Sequence, residues 1–173
     1  MSISMYDASI PLFKQLLGSM SAVLDKGAAF GAGKQIEKGV LMQLRLAPDM
    51  FPLLRQVQVA SDSAKGGAAR LAGVDIPSYP DEEVTIDDAK ARIAKTIAFL
   101  DTLSRDAINA SAEREIVITV GPQTARREMR FTGATYLMRW VIPNFTFHCA
   151  TAYDILRANG VELGKRDYLG AVQ

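Results

Sequence analysis

The stretch MYDASIPLFKQLLGSMSAVL, Met5 to Leu24, decides the fold class, because its apolar residues return on a helical beat. Tyr6, Ile10, Phe13, Leu17, Met20 and Leu24 are separated by 4, 3, 4, 3 and 4 residues, which places them on one stripe of an α-helix. Such a stripe buries itself against other helices, so the rest of the chain must supply them. Pro11 lies in or just before the first regular turns, where it can kink them. The glycines at 27, 31 and 33 then interrupt the pattern. A short helix is expected from near Lys34 to about Leu46, ahead of Pro48 and Pro52, which restrict the residues before them.

Two further helices follow. From Phe51 to Ala72 the stripe is Leu54, Val57, Ser61, Ala64, Ala68 and Leu71, with small residues that permit close helix approach. Gln58, Asp62 and Lys65 run along its margin, at positions expected to form a solvated edge. The segment AGVDIPSYPDEEV is a loop broken by Pro77 and Pro80. Thr85 with Asp88 has the pattern of a capping box, which starts a helix carrying Ile86, Ala89, Ile93, Ile97, Leu100, Ser104 and Ala107 to about Asn109. Glu115 to Val120, EIVITV, alternates as a strand does, and ARREMRF after the turn GPQT supplies a partner, giving a hairpin over about 115–131. Arg126, Arg127 and Arg130 belong to a solvated strand face.

The last helix is expected from around Thr132 to Gly160, its terminating glycine, with a kink or break where Pro143 removes an amide. Residues 161–173 form a tail that folds back on the body. The sum is an all-α, up-down four-helix bundle in a single domain over residues 1–173, with a short helix after the first and a small hairpin between the third and fourth.

Composition narrows the function classes. A net charge of +1, with no long basic run, gives no electrostatic footprint for nucleic acid or anionic membrane. No window approaches the roughly 20 apolar residues of a membrane span. One cysteine forms no internal disulfide and the start of the chain lacks the features of a secretory signal, so the expected location is cytoplasmic.

The only histidine, His148, stands beside the only cysteine, Cys149, within PNFTFHCATAYDIL, Pro143 to Leu156. On the stripe Leu137, Val141, Asn144, His148, Ala152 and Ile155 the imidazole points inward. Cys149 lies about 100° round the helix, so the two do not form a dyad. Cys149 reads as a small buried apolar residue. With so few nitrogen and sulfur donors, any site draws on carboxylates, amides or tyrosines. The candidates are Gln58 and Asp62 from the second long helix and Asn144 and Tyr153 from the last. Such an oxygen-rich set binds a transition metal weakly, so no cofactor is expected. His148 is expected as a core imidazole with its nitrogens satisfied by a neighbouring helix or, in an enzyme, as a general base or the polar anchor of a small ligand. No phosphate loop, GxSxG, HExxH or GxGxxG motif is present.

Three stretches, MYDASIPLF, LAPDMFPLLRQVQVASDSAKGGAARLAG and PNFTFHCATAYDILRANGVELGKRDYLG, resemble the domain-of-unknown-function family nineteen-ninety-three, which is similar to the DinB/YfiT-like metalloenzyme superfamily. The resemblance implies a four-helix bundle, often dimeric, with relatives that are thiol-dependent transferases and isomerases using mycothiol or bacillithiol. It also implies a divalent metal on three histidines, one from the second long helix and two spaced four apart on the last. His148 matches one of that pair; its companion would stand at Asn144 or Ala152, and the third ligand near Gln58 to Asp62. What carries over is a cleft between the second and fourth long helices. Three readings stay open: a homodimeric small-ligand binder without metal, a zinc- or nickel-dependent transferase or isomerase on the substituted set His148, Asp62 and Gln58, and a non-catalytic dimeric binding module.

Overall fold

The stripe at the start of the chain forms the helix it predicts. In the computed structural model, which describes residues 3–37 and 39–170, α1 (Ile10–Gly33) buries Ile10, Phe13, Leu17, Met20 and Leu24. It does not stop at the glycines. A Cβ on Gly27 would lie 3.2 Å from Leu156, and one on Gly31 would lie 3.0 Å from Leu41. These glycines are therefore contact surface, and their packing outweighs a propensity cost of about 1 kcal/mol each. The expected helix from Lys34 to Leu46 reduces to one 3₁₀ turn, Leu41–Gln43. Lys38, inside that stretch, lies outside the described residues.

The remaining helices are α2 (Leu53–Ala72), α3 (Ile86–Asp101), α4 (Arg105–Asn109), α5 (Gly133–Tyr136), α6 (Ile142–Ala158) and α7 (Lys165–Leu169). Helix α2 packs against α3 and α6, and α1 packs against the same two. The chain is mostly helical with one small hairpin. No helix among the described residues is long and apolar enough to cross a membrane.

Local signals set most boundaries. Thr85 and Asp88 form a reciprocal capping box at the start of α3. That helix ends at Asp101, short of the expected Asn109, because Ser104 adopts an extended backbone and caps α4 instead. The hairpin pairs β1 (Glu115–Val120) with β2 (Arg127–Thr132), in the antiparallel register Glu115↔Thr132 through Val120↔Arg127. Ile116 and Ile118 face inward. Arg130 spans both strands through Glu115 and Glu128, on the solvated face. The tail folds back as expected: the Ser19 hydroxyl donates to the Asp167 and Tyr168 carbonyls, and α7 packs on α1. Residues 171–173 of that tail lie outside the described residues.

The last helical stretch starts at its Thr132 cap and contains one widened π turn, Leu137–Val141. The Ile142 amide reaches back five residues to the Leu137 carbonyl immediately before Pro143. The anticipated irregularity is thus an inserted residue, and it shifts the helical phase. Phe145, not Asn144, enters the core, where its ring meets Phe13 edge-on at 5.0 Å. That contact adds about 0.5–1.5 kcal/mol beyond its buried area.

Candidate functional site

The imidazole of His148 is buried and faces Gln56 of α2, with Nδ1 2.7 Å from Oε1. The Gln56 amide nitrogen donates to the Phe51 carbonyl at 3.0 Å, which turns Oε1 toward the ring. An amide oxygen only accepts, so Nδ1 carries the proton and Nε2 keeps a bare lone pair. Burial, and secondly the nearby Arg55 charge, push the His148 pKa below its ordinary value of 6.5. The ring is neutral at neutral pH. Cys149 behaves as the sequence implies: it is buried, and burial pushes its thiol up, which makes it a poor nucleophile.

The residue opposite His148 is Gln56, not Gln58 or Asp62. Two residues along a helix turn the side chain by about 200°, so Gln58 points toward α3. There it donates to Glu83 at 2.9 Å and accepts from Arg55 at 3.1 Å. Asp62 pairs with Arg92 and Lys65, each at 3.0 Å. Arg92 is the hub, its side chain 1% exposed, and it also binds Asp81 at 3.1 Å and Glu83 at 2.9 Å. Burial pushes the Glu83 carboxyl up, but hydrogen bonds from Arg92 and Gln58 outweigh it and hold it below the usual carboxylate range. The margin expected to be a solvated edge is therefore covered at Gln58 and Lys65, which are buried, while the Asp62 side chain stays 41% exposed. Lys65 caps the Tyr79 ring, 3.8 Å from its centroid.

The other two candidates also lie apart from His148's partner. Asn144 donates to the Trp140 carbonyl at 2.7 Å, satisfying the backbone beside Pro143. Tyr153 faces α1 and the tail, with its ring 6.1 Å from Tyr168. Gln56 and Arg92 were missed because the buried faces are wider than the stripes read from sequence: Val57, Ser61 and Ile93 are buried as expected, and Gln56, Ala60, Arg92 and Thr96 are buried beside them.

These positions do not suit the divalent metal implied by the resemblance. One imidazole nitrogen is tied to Gln56, the positions one turn away are Asn144 and Ala152, and the amides and carboxylate of Gln58 and Asp62 are engaged. Among the described residues no group of three or more His, Cys, Asp or Glu side chains is placed to hold an ion. An arginine near the imidazole opposes cation binding further.

A cleft does open beside α2. Gly67 lies so near the π turn that a Cβ there would fall 2.5 Å from Val141 Cγ1. Around this close approach the helix wall, the hairpin end and the π turn border a half-open cleft of about 590 Å³. Arg55, Asp62, Arg70, Tyr136 and Trp140 supply its polar and aromatic lining. Its size falls within the roughly 300–1,000 Å³ of small-molecule sites. Asp62 thus lines the cleft as well as the Arg92 network, whereas His148, Gln58, Asn144 and Tyr153 are not among its lining residues. Arg70, Tyr136 and Trp140 carried no motif that sequence reasoning could use.

A mostly helical chain with a small antiparallel hairpin between α4 and α5 is consistent with a DinB-like fold. The crystal structure of a DinB family member protein from Shewanella denitrificans is similar to this chain at 39% identity and a TM-score of 0.84, covering 96% of this chain and 92% of that one. A family model described as a domain of unknown function (DUF1993) matches residues 5–169, and the chain belongs to that family. No curated protein matches it.

Proposed function

We propose that the protein is a DinB-like up-down four-helix bundle that binds a small molecule in the cleft between α2 and the last helical stretch, without a divalent metal, as a cytoplasmic homodimer. The observation that carries this reading is the cleft of about 590 Å³ at the π turn, with an aromatic wall and two arginines. Inserted π turns often mark functional sites, because the extra residue leaves a local gap in helix packing. The metal-dependent transferase reading lacks such support, since its donors are engaged elsewhere. His148 then acts as a positioning group, joining α6 to the start of α2 through Gln56. The side chains of Phe51, Met138 and Phe147 are exposed apolar surface of the kind that self-association would cover. Sedimentation of wild type against Phe147→Ser tests that part: two copies falling to one support it, and a monomeric wild type removes it.

The cleft is tested by filling it. Ser63 lines it from a half-buried position on α2. Ser63→Phe should abolish fragment binding while the melting transition is kept. Fragments bound equally by the variant would place binding elsewhere and contradict the reading.

A further inference from the structure

Among the described residues, the cleft carries one cation without a carboxylate partner. Arg55 is paired with Asp81, and the charge of Asp62 is taken up by Arg92 and Lys65. Arg70 has no carboxylate partner among the described residues. One of its terminal nitrogens donates to the Gly66 carbonyl at 3.1 Å and to the Tyr136 hydroxyl at 3.3 Å. Gly66 allows that fold-back, since a Cβ there would lie 3.0 Å from the same nitrogen. The Tyr136 hydroxyl accepts from Arg70, and among the described residues its own proton has no acceptor. A guanidinium edge and a phenol proton are thus left over on one wall, beside the apolar surfaces of Val59, Trp140 and Val141.

Resting on the cleft reading above, we propose that the ligand is a small organic carboxylate with an aromatic or alicyclic body. Its carboxylate takes the free N–H groups of Arg70 and the O–H of Tyr136, and its body lies against Trp140. A planar guanidinium pairs a carboxylate with two parallel hydrogen bonds, and charge-assisted bonds are roughly twice as strong as neutral ones. A single cation without a carboxylate partner among the described residues matches a monoanion better than a phosphate dianion. The Tyr136 phenol stays protonated to serve as donor, because burial pushes its pKa up and outweighs the opposing effect of Arg70.

The test uses matched probes on ¹⁵N-labelled protein: benzoate, phenylacetate and indole-3-acetate, each against its carboxamide, with phenyl phosphate as the dianion. Carboxylates should shift the Trp140 indole signal and bind about ten-fold tighter than their amides. Arg70→Gln should remove that preference while amide binding persists, and Tyr136→Phe should reduce it. Equal binding of acid and amide at the cleft would overturn the charge selection and leave the cleft reading standing. Tightest binding by phenyl phosphate would overturn the carboxylate assignment. Binding of no probe at the cleft would overturn both.

Discussion

His148 Nδ1 and Gln56 Oε1, on helices far apart in sequence, meet at 2.7 Å in the core between α2 and α6. The pair fixes the imidazole tautomer and makes its neutral form part of the folded state. Its folded pKa lies below the ordinary 6.5, so on acidification the unfolded chain takes up the proton first. Stability from this group is fully present above about pH 6.5 and is lost as pH falls toward the folded value. Chemical denaturation of wild type should show that slope as pH falls below about 6.5, and His148→Asn should lose it. Glu83 acts with the same sign but lower, below its ordinary 4.5, so the two contributions separate. A slope that survives the substitution would remove His148 as the cause, since it is the only histidine.

Arg92 bridges three carboxylates, two of them shared with Lys65 and Arg55, from a position almost wholly shielded from water. Without Arg92 the mostly buried Glu83 keeps only Gln58, while the partly exposed Asp62 and Asp81 keep Lys65 and Arg55, so the loss is about 1–3 kcal/mol. Arg92→Ala should therefore lose that much in urea unfolding. Lys14→Ala, which removes the exposed pair with Asp101, should lose less than about 1 kcal/mol. Similar losses in both variants would mean that the Arg92 network contributes no more than a surface pair.

Much of this was legible in sequence where one rule acted alone. The Tyr6–Leu24 stripe, the Thr85 capping box, the alternating hairpin and the Thr132 start each have a local physical cause. Where packing overrode propensity, the sequence misled: Gly27 and Gly31 look like breakers but are helix contacts against Leu156 and Leu41. The π turn misled differently, since one inserted residue changed which of Asn144 and Phe145 faces the core. Of the site residues read from sequence, Asp62 alone lines the cleft, and His148, expected at its centre, does not. The rest of the lining was not legible, because Arg70, Tyr136 and Trp140 come from separate elements that only the tertiary fold brings together.

Gly67 sets the spacing between α2 and the π turn. Gly67→Ala would drive a methyl into Val141 Cγ1, 2.5 Å away, and should cost about 1–3 kcal/mol. Val141→Ala in the same chain should recover part of that loss. Full additivity in the double-mutant cycle would show that the two positions do not meet.

Protein purified without chelator should contain zinc and nickel well below one ion per chain by elemental analysis, and EDTA should leave the melting temperature unchanged. A full equivalent of either metal, with a melting temperature that drops on chelation, would restore the transferase reading.

The most direct measurement is the indole N–H signal of Trp140, the only tryptophan in the chain and part of the cleft wall. In a ¹⁵N-resolved fragment titration, binders should shift this signal together with the backbone amides of Thr119, Val120 and Gly121. Shifts clustered elsewhere, with the Trp140 signal unmoved by every fragment that binds, would contradict the account.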